Sequence, residues 1–165
     1  MSDSNLVLLP DPARGPVGKG LYWDEFKVGW KFRTVGRTLR EPDIMHLVHS
    51  AIIHEVLFTN RDYVEKESVI KGRFAPGPLV YLMAEALIMP TIQATAIAFL
   101  GMETKSYRAL QVGETMYVDV EITDVRPTKH KDRGIVTSEN VVKTTTGEVL
   151  QIFKPSRMIK GSPKG

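Results

Sequence analysis

The chain contains no cysteine among its 165 residues. That absence excludes disulfides, cysteine nucleophiles and thiolate metal sites together. It has two tryptophans, and aromatic residues make up only 8% of the sequence. No apolar run approaches the roughly 20 residues that a membrane helix needs. The first residues, MSDSNLVLLPDPARGP, have neither a basic leader region nor a small-residue cleavage site, so no signal peptide is expected. A cysteine-free chain is compatible with the cytoplasm, the location expected here. Charge of one sign is also scarce: 22 basic residues stand against 19 acidic ones, a net charge of +3. An isoelectric point near 9.1 would suit nucleic-acid binding only if the basic residues clustered. They do not. Lys129, His130, Lys131, Asp132 and Arg133 form one charged loop, while Lys143, Lys154, Arg157, Lys160 and Lys164 are scattered. No aromatic residues interleave with them as a stacking platform would require. Phosphate-loop and dinucleotide glycine patterns are missing, and His46 with His49 finds no third ligand at metal-binding spacing.

What is present is a composition with 42% hydrophobic and 25% charged residues, enough for one domain with a real core. Residues 1–19 are rich in proline and glycine and read as an extended arm, with Leu6 to Leu9 as an apolar anchor. Residues 20–159 form the domain, and residues 160–165 a flexible tail. After Gly29, Trp30, Phe32 and Thr34 alternate with Lys31, Arg33 and Val35 as in a half-buried strand. A helix is expected from Glu41-Pro42-Asp43 onward, with Ile44, Leu47, Val48 and Ala51 on one face. Asn60 is placed to cap a second short helix. Pro76-Gly77-Pro78 then opens an apolar helix that Pro90 should end. Leu79, Val80, Leu82, Met83, Ala86 and Leu87 nearly encircle it, which predicts burial on most sides. The remainder alternates with a period of two: Met116, Val118, Val120 and Ile122 face one way. Turns at residues 129–134 and at Thr146-Gly147 separate two further strands. These elements predict an α+β fold in which an antiparallel sheet curls around a central helix.

Four segments, GLYWDEFKVGWKFRT, TLREPDI, GRFAPGPLV and VGETMYVDVEITDVRP, resemble the MaoC-like dehydratases, which include (R)-specific enoyl-CoA hydratases. The resemblance runs from Gly20 to about Met158. It implies a hot-dog fold, an acyl-CoA or acyl-carrier thioester as substrate, hydro-lyase chemistry, and a homodimer or larger homo-oligomer. Neither cofactor nor metal, nucleic acid nor membrane is implied. Active members usually carry G-D-x-N-P-x-H between the first helix and the helix start at Pro-Gly. Counting without gaps from Glu41-Pro42-Asp43-Ile44 puts Ile53 at the aspartate, Glu55 at the asparagine and Phe58 at the histidine. Ile53 and Phe58 cannot exchange protons, so the usual dyad is absent.

His54 and Glu55 are the nearest titratable residues and become the candidate acid and base. Gly77 would offer its backbone N–H to the thioester carbonyl at the start of the central helix. Phe58 and Tyr81 are candidate pocket walls, and Arg73 a candidate contact for CoA phosphate. Glu85 stands among apolar neighbours on the central helix, two turns after Gly77, the spacing at which some hot-dog thioesterases place an acid. Three readings stay open. They are a hydratase or dehydratase with a rearranged acid and base, a thioesterase using Glu85, and a binding module or partner subunit.

Overall fold

The computed structural model describes residues 18–130 and 132–163. Residues 1–17 of the expected arm, Leu6 to Leu9 included, and the last two residues of the tail lie outside them. Six strands form one antiparallel sheet: β1 (Lys31–Arg33), β2 (Arg37–Thr38), β3 (Ala96–Ser106), β4 (Thr115–Pro127), β5 (Arg133–Thr144) and β6 (Val149–Lys160). Their order is β1-β4-β5-β6-β3, with β2 also pairing β4. Four α-helices accompany them among the described residues: α1 (Glu41–Ser50), α2 (Val56–Thr59), α3 (Arg61–Lys66) and α4 (Gly77–Ile88).

The period of two in β4 has the consequence the sequence predicts. Met116, Val118, Val120 and Ile122 are buried and the residues between them are not. β5 alternates in the same way, and both present their inner face to α4. Leu79, Val80, Met83, Ala84 and Ile88 of α4 fill that concavity. Asn60 caps α3, its Oδ1 accepting from the Tyr63 N–H at 3.1 Å. α4 ends at Ile88, and Pro90 lies in a single 3-10 turn after it.

Three details differ from expectation. The first strand is only three residues long, because the Thr34 hydroxyl accepts from Val118 N at 3.0 Å and donates to Val35 O at 2.9 Å. Competition of a short polar side chain for the backbone ends the ladder there. α4 is not covered on all sides: Leu82 is 48% exposed, Ala86 is exposed too, and Met89 just after the helix is 38% exposed. An apolar pattern reports a preference for burial, not which molecule does the burying. The tail begins later than residue 160: Lys160 closes β6, and Ser162 donates its N–H and its hydroxyl to Asp24 at 3.0 and 2.6 Å.

Both ends of the domain thus meet at Trp23. Its ring lies so close over Gly134 that a Cβ there would stand 2.3 Å away, which requires glycine. Its Nε1 is buried with no hydrogen-bond partner among the described residues. No described helix is long and apolar enough to cross a membrane.

Candidate functional site

The start of α4 is placed by its own approach. Residues 73–75 run beside 110–112, with Ala75 N donating to Leu110 O and Val112 N to Arg73 O, both at 2.8 Å. Pro76 precedes the helix with no side-chain cap. The Gly77 N–H, at the first helical position, has no acceptor among the described residues. It opens on a cavity of about 300 Å³ whose wall includes Phe58, Phe74, Ser106, Tyr107, Arg108 and Gln151. A second cavity, of about 650 Å³, lies between α1, α2 and α3 and is walled by Met45, His49, Leu57 and Phe58, among others. Phe58 borders both. Its ring meets Phe74 edge-on at 5.7 Å, so it forms the partition between them.

The turn that replaces the usual dyad has a definite geometry. α1 ends with Ile53 N donating to Val48 O at 2.9 Å and Ile52 N to His49 O at 3.3 Å. That is a Schellman closure, with Ile52 at the left-handed position (φ 51°) where glycine is favoured. It turns Ile53 onto the core, and Phe58 packs there too. The two apolar residues standing for aspartate and histidine are therefore used as packing. His54 and Glu55 are exposed, and neither borders either cavity. Glu55 instead caps α2, accepting from Leu57 N at 3.4 Å, and His54 makes no side-chain hydrogen bond among the described residues.

The other candidates are engaged within the fold. The Glu85 carboxylate takes two hydrogen bonds from Arg157, from Nε at 3.2 Å and from Nη2 at 2.5 Å. Both side chains are nearly buried, at 14% and 8% exposure. Tyr81 rests edge-on against Phe153 at 5.2 Å. Burial chiefly, and the neighbouring Glu85 charge, push its phenol up, with Arg157 opposing. Arg73 donates from Nε to Glu41 at 2.9 and 3.0 Å and from Nη1 to Phe58 O at 2.7 Å, tying α1 to α2.

Of the predicted residues, the structure brings Gly77 and Phe58 to one cavity and leaves His54, Glu55, Tyr81, Glu85 and Arg73 outside it. Ser106, Arg108 and Gln151 join the cavity without having been anticipated. Ser106 and Gln151 are partners across β3 and β6, 45 residues apart, and no local motif marks either. Arg108 is held by Glu114 at 2.9 and 2.7 Å and by Glu148 at 3.0 Å. Those bonds raise its already high pKa, so it serves as a fixed positive charge and not as a proton donor.

No family model matches the chain, and no curated protein matches it in sequence. Solved structures do. A MaoC-like dehydratase from Rhodospirillum rubrum superposes with a TM-score of 0.75 at 18% identity, covering 88% of this chain and 100% of the other. An (R)-hydratase from Pseudomonas aeruginosa gives 0.69 at 19% identity, covering 87% and 88%. A Mycobacterium tuberculosis protein described as having a double hot-dog fold gives 0.75 at 21% identity, covering 88% of this chain and 46% of that one. The six-stranded antiparallel sheet closed over α4 is therefore a hot dog, in the architecture shared by MaoC-like dehydratases and (R)-hydratases.

Proposed function

We propose that this protein binds an acyl thioester, of CoA or of an acyl carrier, with the thioester carbonyl at the Gly77 N–H. One observation carries the reading: the unpaired amide at the start of α4 opens into a cavity with apolar walls at Phe58 and Phe74. An electron-rich oxygen placed there meets a hydrogen-bond donor and the positive end of the helix dipole. The hot-dog neighbours described as dehydratases and hydratases support reversible addition of water to an α,β-unsaturated thioester as the reaction. On that reading the proton-transferring groups are His54 and Glu55, which stand exposed on the turn before α2 and have to reach the cavity by a movement of that turn. Glu85 is not proposed as a thioesterase base, since Arg157 engages both its oxygens. Tyr81 stays outside the cavity against Phe153, and Arg73 lines the neighbouring one while binding the Phe58 carbonyl.

A homodimer belongs to the same proposal. β3 is an eleven-residue edge strand on which Phe99 is 52% and Leu100 47% exposed, and Leu82 on α4 is exposed as well. A long apolar edge calls for cover, and a second copy supplies both a strand and a helix.

A second reading has its own observation. No imidazole or carboxylate borders the Gly77 cavity among the described residues. That favours a binding module or a partner subunit whose chemistry lies on another chain. Titration calorimetry with crotonyl-CoA, beside loss of its enoyl ultraviolet absorbance, separates the two. Binding with hydration supports the lyase, and a loss of rate in His54→Ala or Glu55→Ala supports the assigned pair. Binding without hydration supports the module. Absence of binding refutes both.

A further inference from the structure

The start of α4 is short of donors. Pro78 has no N–H, and Leu79 N is turned back onto Pro76 O at 2.9 Å. Gly77 is left as a lone backbone donor, whereas pockets that stabilise a developing oxyanion combine several. We infer that the Ser106 hydroxyl is the second donor to the thioester carbonyl, aimed by Gln151; the inference rests on the thioester reading above.

Three observations converge on it. Ser106 borders the same cavity as Gly77, and its Oγ lies 4.0 Å from where a Cβ on Gly77 would stand. One carbonyl oxygen between them is within reach of both groups. The Ser106 Oγ accepts from Gln151 Nε2 at 3.1 Å and makes no other hydrogen bond among the described residues. Its own proton is therefore free to be donated. Gln151 is only 5% exposed, and its Oε1 is buried without a partner among the described residues. The amide acts here through its Nε2, which fixes the serine oxygen, while its oxygen faces protein and takes no part in holding the carbonyl. The register puts Ser106 directly opposite Gln151, so the sheet holds the pair at the mouth of the helix. Ser106 is thus a substrate-contacting residue and Gln151 a positioning residue.

The test uses crotonyl-CoA carrying carbon-13 at its carbonyl, added to the full-length protein. Binding to the wild type should move the carbonyl resonance in the direction of polarisation. Ser106→Ala should reduce that displacement and weaken binding by about 3- to 10-fold, the worth of one hydrogen bond. Gln151→Glu keeps the shape but draws the serine proton onto a carboxylate, so it should act like Ser106→Ala. Ser106→Thr restores a hydroxyl and should restore the displacement. If turnover is present, Ser106→Ala should lower kcat by about 100- to 1000-fold. Wild-type binding with an unchanged displacement and affinity in Ser106→Ala overturns the assignment and leaves the thioester reading standing. Failure of the wild type to bind overturns the thioester reading, and the role of Ser106 with it.

Discussion

Ile52 holds a backbone conformation that β-branched residues rarely adopt, with φ at 51° and a side chain that is 70% exposed. Little packing is lost on removing that side chain, while left-handed strain costs an ordinary residue roughly 1–2 kcal/mol. Ile52→Gly should therefore stabilise the protein by about 1 kcal/mol after the entropy of glycine is counted. A melting temperature raised by about 2–4 °C would show it, and no rise would refute the strain. Glu85 and Arg157 behave in the opposite sense. Removing one charge leaves the other stranded where solvent hardly reaches, so Arg157→Met should cost about 3–5 kcal/mol. Combining it with Glu85→Leu should recover most of the loss, as read from denaturant midpoints. Glu114 sets a pH dependence. Its hydrogen bond from Arg108, reinforced by the Gln111 N–H and opposed by burial, holds its carboxyl below the usual glutamate range. A folded-state pKa below the unfolded one contributes stability above the usual range and loses it as pH falls. Stability should therefore drop as pH falls from the usual glutamate range through the lowered folded-state value, and Glu114→Gln should flatten that part of the curve.

At the scale of elements, α2 matters most, though it has only four residues. It carries Phe58 into the partition between the two cavities, and Arg73 pins its backbone from below. Phe58→Ala should cost about 2 kcal/mol, less than a fully buried phenylalanine because the residue is only partly buried. It should also join the cavities. Affinity for CoA esters should then keep rising with acyl length in the variant and level off in the wild type. Identical profiles would mean that the ring is not the stop. Elements are also where the sequence was most legible. Alternation in β4, the Asn60 cap and the proline after α4 each leave a periodic or steric signature within a few residues. The Gly77 cavity leaves none for half its wall. Ser106 and Gln151 meet only because β3 and β6 pair in one register, and a register is decided by the whole sheet. The Ile53-to-Phe58 segment was legible as a missing dyad but not as packing, since the Schellman turn that directs it uses isoleucine in place of the expected glycine.

For the whole molecule, the uncovered apolar surface takes in Leu82 on α4, Met89 just after it, and Phe99 and Leu100 on β3. If two copies close it, the mass in solution should be twice 18.5 kDa. Phe99→Lys, a charge on the pairing edge, should shift light-scattering masses towards the single chain. A wild type that stays monomeric at high concentration would refute the pairing. Trp23 gives the molecule a different property. Its indole sits where the entering chain, the Gly134 backbone and the leaving chain converge, and Ser162 and Asp24 lock the same corner. With only two tryptophans in the chain, the emission colour of Trp23 becomes a built-in gauge of whether the two termini let go before the sheet does, readable without any attached label.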